Sequence, residues 1–158
     1  MDQQQNIDFV LRTVEERGIR FIRLWFCDVL GRLKSFAISP EDLEVAFEEG
    51  IGFDGSAIEG FTPLEEADML AFPDPSTFQV LPWRPKHNGA ARLFCDVCTP
   101  DRKPFAGDSR ECLRRMFYRA EERGFLMNVG AELEYYYFPQ RPHPRAHGRG
   151  GLLRPHAG

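Results

Sequence analysis

Apolar and polar positions alternate in two different rhythms along the first forty residues. Between residues 3 and 17 the apolar side chains recur at helical spacing, which predicts a helix that ends at Gly18. The segments 19–27 and 32–38 are rich in β-branched and aromatic residues, which are typical of strands. Because only the short turn 28–31 separates them, they predict a β-hairpin.

A second group of elements follows the hairpin. Ser39, Pro40 and an acidic residue at the third helical position are typical of a helix start, and they predict a helix that runs to Glu49. Further along the chain, residues 78–83 and 91–98 have the composition of strands and predict another strand pair. A hairpin, then a helix, then more strands predicts an α+β fold with a small sheet of the ubiquitin-like, β-grasp type.

A segment with two prolines and a glycine, residues 99–107, separates two parts of the chain. We therefore predict a first domain over residues 1–103 and the start of a second domain over residues 104–138. The second part opens with a helix that Asp108 caps and that runs to Arg123.

Residues 51–61 contain three glycines and a serine, and they predict a loop that changes direction more than once. The first carboxylate of this segment is Asp54, and the apolar residues Phe53, Ile58 and Phe61 lie on either side of it in the sequence. A loop with buried apolar anchors can project one acid into a site, although most Asp-Gly pairs are only turns. The acids that follow, Glu65, Glu66 and Asp68, are predicted to lie in an irregular, solvated segment.

Residues 130–138 are rich in aromatic side chains, contain no proline and predict a strand. Strand alternation places Glu132 and Glu134 on one face. Two neighbouring carboxylates on an apolar strand are costly unless water or a cation neutralises them, and such a pair suits a hard divalent cation such as Mg²⁺ or Mn²⁺. The alternative is an antiparallel strand that shows its acids to water, and the pattern alone favours this alternative.

Charge is unevenly distributed along the 158 residues. Residues 139–158 carry four arginines and no acid, so they contribute +4 to the net charge of −4 and leave −8 for residues 1–138. An acidic body argues against nucleic acid and against a membrane surface as partners. The chain has no apolar run of about 18 residues and no basic, apolar leader at its N-terminus, so we expect a cytoplasmic protein.

The cysteines do not predict a metal site. Only Cys95 and Cys98 have the spacing of metal ligands, and in a strand an offset of three residues places their thiols on opposite faces. No second pair completes a tetrahedral zinc site, so we expect buried structural cysteines in a reducing compartment.

Three segments resemble the motifs of one known family. Residues 52–61 (GFDGSAIEGF) resemble the FDGSSI loop of type I glutamine synthetases. Residues 95–108 resemble the CDxxTPDGxPFxGD segment of that family, and residues 130–138 resemble its first metal-ligand strand, GxExEFFLF. The three matches occur in the family's order and at suitable spacing, and the resemblance covers about residues 7–138.

The resemblance implies an N-terminal β-grasp domain that packs against the catalytic domain of a neighbouring subunit in a ring-shaped dodecamer. It implies a reaction in which ATP phosphorylates the γ-carboxylate of L-glutamate and ammonia displaces the phosphate. By match to the motif, Glu132 and Glu134 would each ligate one of two Mg²⁺ or Mn²⁺ ions. Asp54 matches the acid that binds ammonium and helps remove a proton, and Ser56 matches a residue of the same substrate-binding loop.

Some positions depart from the family pattern. Ala57 stands where many members have a second serine, and Phe61 stands where many have tryptophan. The contacts that this serine and this tryptophan make in those members are therefore not expected in this chain. Relatives that join glutamate to polyamines or other amines share the metal strand, which leaves an amine ligase as an alternative. A further alternative is a non-catalytic β-grasp module that acts in oligomerisation. The other metal ligands and the ATP pocket would follow Phe138, so this chain alone is expected to be inactive.

Residues 139–158 have the composition of a disordered or nucleic-acid-binding tail, with four prolines, four arginines and four glycines. Reverse translation predicts instead that the tail is a frameshift product. Residues 152–158 can be written CTA CTT CGA CCT CAC GCC GG, and the frame one base later then encodes Tyr-Phe-Asp-Leu-Thr-Pro. The two preceding glycines also permit Gly-Gly in that frame, and the family resemblance leads us to expect Gly-Gly-Tyr-Phe-Asp shortly after the metal strand.

The frameshift makes a direct prediction about the gene. The codons of residues 152–158 should read Tyr-Phe-Asp-Leu-Thr-Pro in the shifted frame, and sequencing the coding DNA is the measurement. Any other reading of the shifted frame would leave the tail as a genuine part of the protein.

Overall fold

The computed structural model describes residues 2–58, 68–84 and 88–137, which form three helices and six strands. The helices are α1 (Gln3–Glu16), α2 (Leu43–Glu49) and α3 (Ser109–Glu121). The strands are β1 (Phe21–Cys27), β2 (Leu33–Ile38), β3 (Ile51–Asp54), β4 (Asp68–Pro73), β5 (Gln79–Val80) and β6 (Ala90–Cys98). The chain divides into two units, residues 1–127 and residues 128–158, and all these elements belong to the first.

The strands form one mixed sheet in the order β2-β1-β6-β4-β3. β1 runs antiparallel to β2 and parallel to β6, and β4 runs antiparallel to both β6 and β3. β5 pairs with the first half of β6, on the side where β4 pairs with the second half. A mixed sheet with separate helices confirms the predicted α+β fold.

One face of the sheet packs against α1 and α2 and forms the core. The strand alternation in β1 and β6 sends every second side chain to this face, where Leu24 and Leu93 are fully buried. From α1 and α2, Val10 and Leu43 reach the same cluster and are equally buried. Burying each such side chain stabilises the fold by about 1.5–3 kcal/mol. The opposite face, which we call the open face, carries the other half of the strand residues.

The helix predicted to begin after Ser39 starts one turn later than expected. Residues Pro40–Asp42 form a 3-10 turn, and α2 itself begins at Leu43. The Ser39 hydroxyl does not cap the helix, because it donates to the Asp42 carboxylate at 2.8 Å. The predicted end is confirmed at Gly50, whose φ of 75° is in the left-handed region that favours glycine.

The predicted loop over residues 51–61 and the predicted irregular segment around Asp68 are partly wrong. Residues 51–54 form β3 and residues 68–73 form β4, and the two strands pair antiparallel with Phe53 opposite Met69. The glycines of the segment suggested a turn, but Gly52 sits at an ordinary strand position because its neighbours pair across the ladder. Phe61, Glu65 and Glu66 lie outside the described residues.

The predicted strand 78–83 is shortened to Gln79–Val80. The Leu81 amide still donates to the Ala90 carbonyl at 2.9 Å, but Pro82 has no N–H with which to continue the ladder.

The strand predicted over residues 130–138 is wrong for residues 130–137, which have no regular secondary structure, and Phe138 lies outside the described residues. A strand needs a neighbour to satisfy its N–H and C=O groups, and residues 130–137 form no ladder. The predicted boundary near residue 103 stays a prediction. The predicted tail, residues 139–158, lies outside the described residues.

Two arginines attach α3 to the sheet. The Asp108 carboxylate caps the helix as predicted, accepting from the backbone N–H groups of Arg110 and Glu111 at 3.2 and 3.3 Å. Arg110 donates to Asp74 at 2.6 Å and to Asp96 of β6 at 2.9 Å, and Arg114 donates to Asp96 at 2.7 Å. Because the groups are only half-exposed, these charge-assisted bonds are screened less than surface pairs.

Replacing Arg110 should loosen α3. We expect Arg110→Met to lower the free energy of unfolding by about 1–2 kcal/mol, because the half-buried Asp74 and Asp96 each lose one charge-assisted donor. The exposed Arg115 of the same helix gives the matched control, and Arg115→Met should change stability by less than about 0.5 kcal/mol. Urea unfolding followed by circular dichroism measures both. Equal stabilities for the two variants would mean that the ion pairs do not hold the helix.

Candidate functional site

Asp54 ends β3 and begins a tight turn. The residues that follow, Gly55–Ala57, form one turn of 3-10 helix, and the Asp54 carboxylate accepts from the backbone N–H of Ser56 at 2.9 Å. The side chain of Asp54 is exposed. The turn therefore fixes the direction of the carboxylate while it leaves the group open to a ligand.

Apolar residues on both sides anchor this turn. The ring of Phe53 lies 4.8 Å from the ring of Phe26 and 5.7 Å from that of Phe36, measured between centroids. After the turn, Ile58 is buried beside Met69 in a second small core. The predicted arrangement of one acid between apolar anchors is thus present, with a half-buried Phe53 and a buried Ile58. Aromatic contacts of this kind contribute about 0.5–1.5 kcal/mol each beyond area burial.

The hydrogen bonds of Ser56 favour the ionised form of the Asp54 carboxyl. The backbone N–H of Ser56, and then its side chain, lower the pKa of the Asp54 carboxyl below its ordinary value, because both donate to the ionised form. At neutral pH the carboxylate is therefore fully ionised. The structure brings Asp54 and Ser56 together, as the two candidate substrate-binding residues of one turn.

A second carboxylate, which the sequence did not single out, lies directly opposite Asp54. The β3–β4 register pairs Asp54 with Asp68, and both side chains are exposed. They line a groove of about 410 Å³, which we call the acid groove; its lining residues are Gly52, Phe53, Asp54, Asp68, Met69, Leu70 and Pro100. Like charges directly opposite one another destabilise a strand pair unless a cation offsets them.

The signal for Asp68 was present in the sequence. Met69 and Ala71 are buried while Asp68, Leu70 and Phe72 are not, which is the alternation of a half-buried strand. The prolines on either side of this short run, and its acidic neighbours, favoured an irregular interpretation.

Glu132 and Glu134 belong to the second unit, which we describe by itself. Both carboxylates are exposed, and they stand two residues apart in a stretch without a ladder. Nearby, the rings of Tyr135 and Tyr137 meet edge to face with their centroids 5.3 Å apart, so these two side chains lie on the same side of the segment. Whether the glutamates bind a metal stays a prediction.

The donor set for a divalent cation is incomplete among the residues that the structure describes. Mg²⁺ and Mn²⁺ prefer about six oxygen ligands, and Glu132 and Glu134 offer carboxylates of the right chemistry for only part of that number. Within residues 2–58, 68–84 and 88–137, no group of three or more His, Cys, Asp or Glu side chains is placed to hold an ion. The pair fits a cation whose other ligands come from elsewhere.

The four cysteines are free thiols. The positions of Cys95 and Cys98 agree with the interpretation that both residues are structural. Cys95 is buried in the core and Cys98 is half-buried on the open face, so the two do not converge. Burial raises the pKa of the Cys95 thiol far above its ordinary value, which makes it inert as a nucleophile or metal ligand.

None of the helices in the described part of the chain is long and apolar enough to cross a membrane.

Comparison with known proteins gives a consistent result. The family profile described as "Glutamine synthetase, beta-Grasp domain" matches residues 18–100, which confirms the predicted β-grasp fold. A glutamine synthetase of Mycobacterium tuberculosis is 56% identical over 144 residues, which are 90% of this chain and 32% of the relative. A glutamine synthetase of Methanosarcina mazei is 54% identical over 129 residues, or 82% of this chain and 29% of the relative.

Solved structures agree with these matches. The structure named "GmaS/ADP complex-Conformation 1" superposes with a TM-score of 0.64 at 28% identity, covering 72% of this chain and 25% of that one. The structure named "Apo GmaS without ligand" has the same TM-score at 29% identity, and the match covers 72% of this chain and 26% of that one. The chain thus spans about a third of the length of the curated relatives it matches.

The Ser56 contacts predict the titration of Asp54. A lowered folded-state pKa means that these hydrogen bonds stabilise the fold above the ordinary pKa of aspartate, and that this stabilisation is lost as the pH falls through the lowered value. Ser56→Ala removes the hydroxyl and keeps the backbone donor, so the pKa of Asp54 should rise only part of the way to its ordinary value. Carbon-13 NMR of the side-chain carboxyl measures this, with the exposed Ser35→Ala as control. An unchanged pKa in Ser56→Ala would assign the whole effect to the backbone.

Proposed function

The chain belongs to the glutamine synthetase family, and we propose that it is the amino-terminal part of an enzyme that joins ammonia to the γ-carboxylate of L-glutamate. In this proposal ATP first phosphorylates the γ-carboxylate, and ammonia then displaces the phosphate from γ-glutamyl phosphate. The relatives supply the family, and the acid groove supplies the observation that carries the proposal for this chain.

The acid groove suits an ammonium ion. Ammonia reaches an enzyme at neutral pH mostly as ammonium, which must be bound and must lose a proton before it can attack. Asp54 is ionised, held in direction by Ser56 and exposed, so it can bind the cation and accept that proton. Asp68, directly opposite, adds negative potential without being fixed by the same turn.

Glu132 and Glu134 are proposed to bind Mg²⁺ or Mn²⁺ by their carboxylates. Phosphoryl transfer between ATP and a carboxylate gathers many negative charges, and divalent cations supply the opposing charge. Both glutamates are exposed, so they are free to meet ligands and substrate phosphates contributed by the two thirds of the relatives' length that this chain does not span.

The proposal includes a homo-oligomer, a ring-shaped dodecamer in which Asp54 serves the active site of a neighbouring subunit. An exposed carboxylate on a sheet edge is accessible to another subunit, and head-to-tail contacts between identical subunits close into rings when the rotation allows. Activity would then depend on assembly, because each site would be completed by its neighbour.

The two alternative functions are not favoured. The curated relatives reported above are named glutamine synthetase rather than amine ligase, and the acid groove presents two exposed carboxylates that suit a cation. A non-catalytic oligomerisation module is not favoured because the family profile and the relatives reported above are those of glutamine synthetase.

A chimera tests the proposal. Residues 1–137 of this chain are joined in frame to the remaining two thirds of the Mycobacterium tuberculosis relative, and glutamine formation is followed with ammonia, glutamate and ATP. We expect Asp54→Asn to reduce ammonia-dependent turnover by about 100-fold or more, since the amide keeps the shape but can neither hold ammonium nor accept a proton.

In the same chimera, Glu132→Gln together with Glu134→Gln should raise the Mn²⁺ concentration needed for half-maximal activity.

The matched control is Asp68→Asn, which removes one negative charge from the same groove and should cost less than about tenfold. Equal losses for Asp54→Asn and Asp68→Asn would assign the effect to potential alone. Sedimentation of the parent chimera separates assembly from chemistry. A ring without activity would favour the oligomerisation module, and activity with methylamine in place of ammonia would favour the amine ligase.

A further inference from the structure

α3 is attached to the rest of the chain by its charged side, and its apolar side is exposed. Arg110 and Arg114, which lie one helical turn apart, make the ion pairs to Asp74 and Asp96. None of the 13 residues of α3, all of which the structure describes, is buried. An amphipathic helix of a globular domain normally packs its apolar side against the core, so the attachment of α3 is the reverse of the usual arrangement.

The apolar residues of α3 share one face of the helix. They stand at positions i, i+3, i+4 and i+7, and they are Leu113, Met116, Phe117 and Ala120. We call this face the apolar stripe. Leu113 has 48% of its surface exposed, Met116 has 42% and Phe117 has 38%. Because more than a third of each large side chain remains in water, α3 gains only part of the stabilisation that burial of these residues could give.

The residues that follow α3 add further apolar surface. Gly124 has a φ of 78° and reverses the chain, and the Phe125 amide then donates to the Ala120 carbonyl at 2.9 Å. Phe125, Leu126 and Met127 are all exposed. Large exposed apolar patches are rare on soluble proteins, and where they occur they mark interaction sites.

The place of α3 in the sequence indicates what covers the apolar stripe. The β-grasp profile matches residues 18–100, so α3 begins after the domain that the profile describes. The chain spans 32% of the Mycobacterium tuberculosis relative. The stripe therefore lies on the first helix beyond the β-grasp domain, between that domain and the two thirds of the relative's length that this chain does not span.

We propose that the apolar stripe is the docking surface for those remaining two thirds, and that docking occurs even when the two parts are separate polypeptides. This inference rests on the proposed function, in which the chain is the amino-terminal part of an enzyme. The partner surface is apolar, because only apolar contact removes the exposed area of the stripe from water.

The structure provides a preformed docking surface. The Asp108 carboxylate caps the start of α3, and the ion pairs of Arg110 and Arg114 fix the direction of the helix. All of these contacts lie within this chain, so the stripe is in place before the partner arrives. A surface that is already ordered loses little conformational entropy on binding, which favours association of two separate pieces.

Co-expression tests the docking. The full 158-residue chain, carrying an affinity tag, is produced together with the remaining two thirds of the Mycobacterium tuberculosis relative as a separate, untagged polypeptide. We expect the tagged chain to retain the second polypeptide in equal amounts, and sedimentation measures the complex. A tagged chain that is recovered alone, either as a monomer or as a dimer that covers the stripe with a second copy, would overturn the proposal.

Paired variants locate the docking surface. Leu113→Gln with Phe117→Gln places two amides in the stripe, where they would be buried without partners, and should reduce the retained polypeptide by about tenfold or more. The matched control is Arg115→Gln with Arg119→Gln, which makes the same two glutamines at exposed positions outside the stripe and should retain the polypeptide fully. Equal retention by the two double variants would overturn the proposal.

The stability of the chain by itself supplies a second measurement. Leu113 and Phe117 are exposed in the isolated chain, so their double variant should unfold at the same urea concentration as the parent. A double variant that unfolds in isolation would mean that the stripe already packs within this chain, which would also overturn the proposal.

The one-chain chimera separates this inference from the proposed function. A complex of the two polypeptides that forms but makes no glutamine would support the docking and contradict the proposed function. An active chimera, together with a 158-residue chain that retains no partner, would contradict the docking alone.

Discussion

Strand β6 is hydrogen-bonded along both edges, and the rest of the first unit takes its position from this strand. On one edge β5 pairs with its first half and β4 with its second half. On the other edge β1 pairs with residues 90–94, and beyond the end of β1 the Phe105 amide donates to the Val97 carbonyl at 2.9 Å. The Asp108 carboxylate then accepts from the Val97 amide at 3.3 Å, which ties the start of α3 to the same strand. Each backbone group that pairs in this way avoids the cost of an unsatisfied buried polar group.

The alternation of β6 separates two kinds of interaction. Leu93, Cys95 and Val97 point into the core, where only shape and apolar area matter. Arg92 and Asp96 point to the open face, where each meets a different environment. Asp96 is neutralised by the arginines of α3, while Arg92 meets another arginine across the strand pair. One strand therefore holds the helix that follows it at Asp96 and, four residues earlier, places Arg92 opposite another arginine.

The elements that are determined by neighbouring residues in the sequence were predictable, and the elements that depend on distant partners were not. The spacing of α1, the hairpin β1–β2 and the cap at Asp108 follow from neighbouring residues, and the structure places them where the sequence predicted. The acid groove required knowledge that residues 51–54 and 68–73 pair, which glycines in one segment and acids in the other concealed. The position of Arg23 opposite Arg92 depends on the parallel register of β1 and β6, and no local signal encodes such a register. For Glu132 and Glu134 the sequence predicted a strand, but the described residues of that segment form no ladder, because a ladder needs a second strand.

The parallel pairing of β1 with β6 also determines the order in which the chain can become a sheet. About 70 residues separate Trp25 from its partner Phe94, so the loop between them must close before the central pair can form. During synthesis the β1–β2 hairpin leaves the ribosome well before β6 exists, with one edge of β1 unpaired and its apolar face uncovered. Such an edge is a template for other chains. The polar and charged residues of this hairpin, among them the half-buried Arg23 and the exposed Ser35, then protect the growing chain from aggregation until β6 arrives.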